Sequence, residues 1–214
     1  MPYYFLYFEL LCLIVSLIYF RKLSGSSLIY FVPFLVLTNI QEWGSYLGYL
    51  SINKSNTVSL NIFTNMEFAF YSWFLYRATD SVIHKKRIFT LTTLYLVFAF
   101  INVLFIQGIT SFHSYSYLIG SLLMVYYVCF FFYELFNSEE YIDLVRYPSF
   151  WICVGLLFFY LGMFTFYSFF ELVSTETAMT YVDLFVILMN IFNIILYSCF
   201  ITAFVCQSFR KNTI

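Results

Sequence analysis

The sequence predicts an all-α protein: a polytopic transmembrane bundle of seven helices, a single domain over residues 1–214, with its N-terminus outside and its C-terminus inside. Three observations carry that prediction. The chain is 63% hydrophobic and 10% charged, with a mean hydropathy of +0.86, whereas soluble domains are about 45–50% apolar and about 25% charged. Seven stretches approach the roughly 20 apolar residues that a bilayer-crossing helix needs. Taken as successive spans, they place nine of the ten Lys and Arg residues on one side, as the bias of basic residues toward cytoplasmic loops requires. The same composition excludes a water-soluble globular domain and a disordered chain. Ten basic residues against eleven acidic ones leave no basic surface for nucleic acid. The strand-length alternation of a membrane β-barrel is absent.

The first span, about Tyr3–Phe20, has no Lys or Arg before Arg21 and holds Glu9 inside its apolar run. It therefore reads as a retained helix rather than a cleaved signal peptide, which begins with positive charge. Arg21 and Lys22 close it on the inner side. The second span, Ser27–Leu50, is interrupted by Asn39, Gln41 and Glu42, and a polar outer turn, Ser51–Asn56, follows with Lys54. The third span, Thr57–Arg77, starts outside with Asn61, Asn65 and Glu67. His84, Lys85, Lys86 and Arg87 form a basic inner cluster that reads as a topology determinant in contact with anionic lipid. The fourth span, Ile88–Ile106, ends near Asn102 and Gln107. The fifth, Ser114–Phe136, is preceded by His113. The longest inner loop, Asn137–Pro148, is acidic through Glu139, Glu140 and Asp143. It suits either the membrane interface or a docked cytoplasmic partner. The sixth span, Ser149–Phe170, takes Pro148 into its first turn, where the missing N–H costs nothing. Its Gly155 and Gly162 suit close helix packing. The seventh, Tyr181–Cys206, carries Asp183, Asn190 and Asn193, and is followed by Arg210 and Lys211.

Cys12, Cys129, Cys153, Cys199 and Cys206 all fall within spans and show no zinc spacing. They read as small apolar filler. No internal repeat is evident. The odd span count also argues against paired inverted halves, the plan of many transporters.

Polar groups in hydrocarbon are costly, so they turn to the bundle interior and mark candidate sites. With the orientation above, Glu9, Gln41, Glu42, Asn61, Asn65, Glu67, His113, Asp183, Asn190 and Asn193 occupy the outer half or mid-membrane, and Glu134 is the main exception in a plainer inner half. Helical spacing gathers them into stripes: Asn39, Glu42, Tyr46 and Tyr49; Asn61 and Asn65; Asp183, Asn190, Asn193 and Tyr197; and His113, Gly120, Tyr127 and Glu134, which recur every seven residues. Glu67 lies off the Asn61/Asn65 face. The stripes suit a polar ligand cavity open to the outside. The asparagines equally suit hydrogen-bonded glue between helices, worth about 0.6 kcal/mol each.

Several chemistries are excluded. A retinal protein needs an intramembrane lysine for its Schiff base, and all five lysines lie outside the spans. With two histidines there is no H-E-x-x-H site and no bis-histidine haem. No G-x-S-x-G elbow occurs. No cofactor, catalytic set or metal site is expected.

The chain resembles small uncharacterised seven-helix membrane proteins of Bacteroidota. The likeness rests on Glu42 followed by Gly44, on Asn61-Ile62-Phe63-Thr64-Asn65-Met66-Glu67-Phe68, on Phe112-His113-Ser114-Tyr115-Ser116-Tyr117, on Pro148-Ser149-Phe150-Trp151-Ile152 and on Gly155 through Tyr160. It implies a multi-pass protein of the bacterial cytoplasmic (inner) membrane that accompanies sensor kinases, and supplies no catalytic residues. The expectation is a sensory or signalling module. It would hold an unknown small ligand in the outward cavity and pass its output to a separate cytoplasmic regulator or kinase. A small proton-coupled transporter with Glu42 and Glu67 as proton carriers, and an intramembrane lipid-acting enzyme, are the alternatives.

Overall fold

The apolar runs become helices. A computed structural model describes residues 3–51, 55–139, 143–172 and 182–210. Among these there are eight α-helices and no strand: α1 Phe5–Ile18, α2 Phe20–Leu23, α3 Phe31–Tyr46, α4 Thr57–Ala78, α5 Val82–Ile101, α6 Ser114–Phe136, α7 Pro148–Leu172 and α8 Val182–Arg210. Short 3₁₀ turns occupy Ser27–Tyr30 and Leu144–Arg146, and a π turn, Asn102–Ile106, extends α5.

Four segments are long and apolar enough to cross a membrane: Val82–Ile106, Ser114–Phe136, Pro148–Ser168 and Leu184–Phe209. They mark the chain as a membrane protein. The other predicted stretches are also helical but fall short by length or composition. Helix α1 has 14 residues and α3 has 16, while α4 has 22 but carries Asn61, Asn65 and Glu67. The side-chain distribution on α5 agrees with a lipid surround. Phe89, Val97, Phe100 and the following Phe105 are exposed, whereas Ile88, Tyr95, Ala99 and Asn102 are buried. In water such an apolar surface would be a liability.

Helix ends follow from local chemistry. The chain leaves α3 through Gly48, whose φ of +80° favours glycine. Pro148 opens α7, as its fixed φ suits. The basic cluster departs from expectation. His84–Arg87 lie inside α5, whose cap is Ser81: its hydroxyl accepts from the His84 N–H at 3.4 Å. The turn before α5 is therefore only Thr79–Ser81. Charge density reads as loop in sequence, but an Ser N-cap beside residues of good helix propensity extends the helix backward.

The chain divides into two compact units, Met1–Asn39 with Ser138–Ile214, and Ile40–Asn137. In the first unit α8 is the hub, packing on α7, α1 and α2. Two glycines permit the α7–α8 approach. A Cβ at Gly155 would stand 2.9 Å from the Cys199 Cβ and 3.2 Å from the Leu196 carbonyl oxygen, and one at Gly162 would enter the Phe192 ring. Phe31 at the start of α3 meets Phe200 and Phe204 edge-on at 5.3 and 6.0 Å. In the second unit α4, α5 and α6 pack against one another as an up-down trio.

Candidate functional site

The ten residues expected to line a cavity divide between the units. Glu9, Asn190, Asn193 and Asp183 belong to the first; Gln41, Glu42, Asn61, Asn65, Glu67 and His113 belong to the second. In the first unit Glu9 is fully buried on α1. Asn190 accepts from the Phe5 N–H at 3.0 Å and so ties the start of α1 to α8. The amides of Asn190 and Asn193 donate to carbonyls one turn back, Val186 and Met189. The Asp183 side chain lies outside the described residues.

The second unit concentrates the rest. Asn61 clamps the approach to α6: its amide donates to the Ser111 carbonyl at 2.8 Å, and its oxygen accepts from the His113 N–H at 3.1 Å. Asn65, one turn on, donates to the Asn61 carbonyl and accepts from the Tyr95 hydroxyl at 2.9 Å. Gln41 donates to Ser45 and Ser59, joining the end of α3 to α4. The His113 Nε2–H donates to the Gly108 carbonyl at 2.8 Å, which fixes the tautomer because a carbonyl only accepts. Its Nδ1 is then a buried acceptor with no hydrogen-bond partner among the described residues.

Glu42 and Glu67 are half-buried and lie within Coulombic reach of each other, with Tyr95 within reach of Glu67. The Tyr71 hydroxyl donates to the Glu67 carboxyl. Glu42 accepts no hydrogen bond among the described residues. Glu67, off the Asn61/Asn65 face as its spacing indicated, therefore has Tyr71 of its own helix as its partner and the charge of Glu42 on α3 within reach. Among the described residues no three His, Cys, Asp or Glu side chains group closely enough to hold a metal ion.

Three further polar linkages pair residues that the sequence marks only one by one. Asn102, fully buried in the π turn, donates to Gln107 and Ser116, and Gln107 donates to Ser114. Midway along, Thr92 and Tyr127 hydroxyls meet at 3.2 Å. At the opposite end of α5 and α6, the Glu134 carboxylate accepts from the Thr79 hydroxyl at 2.9 Å, the Asp80 N–H at 3.1 Å and the His84 Nδ1–H. The heptad stripe on α6 was the available signal. Gly120 packs on Tyr95, Tyr127 bonds Thr92 and Glu134 bonds His84, so the stripe is the face that α6 turns to α5. Phe68 lies between the two ends, with ring centroids 4.1 Å from Tyr95 and 6.4 Å from Tyr127.

Comparison with protein-family models, curated proteins and solved structures finds no match.

Proposed function

We propose that the protein is a sensory membrane module. In this reading it has seven spans with the N-terminus outside, sits in a bacterial cytoplasmic membrane, and passes its output to a separate cytoplasmic regulator or kinase. The observation that carries the reading is the Glu42–Glu67 pair. In the second unit most polar side chains are consumed by bonds that tie segments together. Among the described residues neither of these two half-buried carboxyls is hydrogen-bonded to another helix, which leaves them to meet something else. A ligand there would redistribute bonds among α3, α4, α5 and α6. Because Asn65–Tyr95 joins α4 to α5 and His84–Glu134 joins α5 to α6, a shift of α5 would be felt at the His84–Glu134 end. A response of this kind requires two packings that differ in ligand affinity.

Affinity purification from native membranes in mild detergent, followed by mass spectrometry, tests the output. A copurifying kinase or regulator, lost when the Asn137–Arg146 loop is altered, is the expected result. The input is tested by replacing Glu42 and Glu67 together with Gln: the protein should fold and bind its partner but lose the response, and unchanged signalling would refute the assignment. Proton-coupled transport is favoured by the same pairing of carboxyls. Uptake into proteoliposomes that depends on a pH gradient and vanishes in the double variant would establish it instead.

A further inference from the structure

We propose that an internal water molecule is built into the junction where the π turn of α5 meets the start of α6. It donates to Asn102 Oδ1 and His113 Nδ1 and accepts from the Ser114 and Ser116 hydroxyls. Short links define the junction. The Asn102 amide donates to Gln107 Oε1 and to Ser116 Oγ, each at 2.8 Å. The Gln107 amide donates to Ser114 Oγ at 2.9 Å, and the His113 Nε2–H donates to the Gly108 carbonyl at 2.8 Å. The Gln107–Ser114 and Gly108–His113 links are thus neighbouring rungs of one turn, and Asn102 is bonded to the first of them.

Two acceptors are left over. Asn102 Oδ1 and His113 Nδ1 accept no hydrogen bond among the described residues, and their residues are 0% and 3% exposed. The orientation of Asn102 is fixed by its partner. Gln107 Oε1 also accepts from the Tyr115 N–H at 3.4 Å, so Asn102 must turn its amide toward that oxygen, and the reverse setting would put two acceptors together. The Ser114 and Ser116 hydroxyls are buried as well. Each accepts one of these amide bonds and keeps its own hydrogen to give. Buried polar groups are rarely left unmatched. Two acceptors and two donors suit a water, since buried waters make about three hydrogen bonds (range about 2–4) to such groups. No carboxylate belongs to the junction, so a cation is the poorer occupant. Space and access are present: a Cβ at Gly108 would meet nothing within 4 Å, and Gln107 and Gly108 are half-exposed. Such a water joins the π turn to the residue whose N–H Asn61 holds, so that α4, α5 and the start of α6 are tied at one level.

Magic-angle-spinning NMR of the full chain in lipid bilayers, with nitrogen labels confined to histidine, tests the proposal. The chain has two histidines, so His84→Gln assigns the spectrum. His113 Nδ1 should resonate as a hydrogen-bonded acceptor and should receive magnetisation from water protons. Asn102→Leu removes the water's other acceptor and should abolish that transfer. The milder Ser116→Ala removes one donor and should weaken it. The His84 Nδ1–H, bonded to Glu134, reports in the same spectrum that α5 and α6 remain packed. A bare Nδ1 acceptor would overturn the proposal, because no donor would then reach it. A protonated Nδ1 would overturn it too, by making His113 the donor. Transfer undiminished in both variants would place the water elsewhere and overturn the site.

Discussion

The two units of the chain differ in how most of their polar side chains are satisfied. In the first, Thr38, Asn39, Asn193 and Thr202 each donate to a carbonyl one turn back on their own helix. The helices then meet through shape, with Gly155 and Gly162 against α8 and Phe31 between Phe200 and Phe204. In the second, side chains bond across segments: Asn61 to Ser111 and His113, Tyr95 to Asn65, Asn102 to Ser116, Gln41 to Ser59, and Glu134 to Thr79 and His84. A self-satisfied polar group tolerates lipid or protein next to it. A cross-linked one specifies its neighbour. The first unit is therefore joined mainly by fit, with the Asn190 bond to the Phe5 N–H as its buried polar tie, and the second by directed bonds, which can exchange partners when a ligand intervenes.

Five substitutions probe this contrast, each read as a change in unfolding free energy in detergent. Glu134→Ala strands three donors at once and should cost the most, about 2–3 kcal/mol, given the strength of hydrogen bonds to charged groups. Gly155→Ala should cost about 2 kcal/mol through overpacking, because the Leu196 backbone oxygen cannot move aside. Gly162→Ala should cost less, since it meets the far end of the Phe192 side chain. Asn61→Leu should cost about 1–2 kcal/mol by unpairing the buried His113 N–H. Asn193→Leu loses only a bond to its own helix and should cost less than about 0.6 kcal/mol. If Asn193→Leu proved as damaging as Asn61→Leu, the distinction between the units would fail.

Much of the helical layout was legible in sequence because hydrocarbon length and helix length coincide. The apolar run Ser114–Phe136 is α6 as it stands, and Pro148 marks the start of α7. The start of α5 was not legible, because His84–Arg87 are helical despite their charge. The site was legible in part. Residue type and depth singled out Asn61, Asn65 and His113, whereas the α6 stripe, read from its spacing as cavity lining, is the face that packs on α5. Partnerships were hidden, since His84 and Glu134 are 50 residues apart and no periodicity within one helix reports on another. Asn102 and Gln107 were noticed only for their depth, because their bond depends on a local departure from α geometry.

That departure sets the angular timing of the chain. In a regular α-helix a residue five positions on overshoots a full turn by about 140°. The wide turn at Asn102–Ile106, closed by the Gln107 N–H on the Asn102 carbonyl at 2.9 Å, winds more slowly and brings the fifth residue back into line. Gln107 thus stands over Asn102 and reaches Ser114, while Leu104, Phe105 and Ile106 are turned outward. The helix carries one residue in reserve at this point, like a spare tooth on a gear. Removing it would rotate everything downstream, the His113 clamp included, out of step with α5.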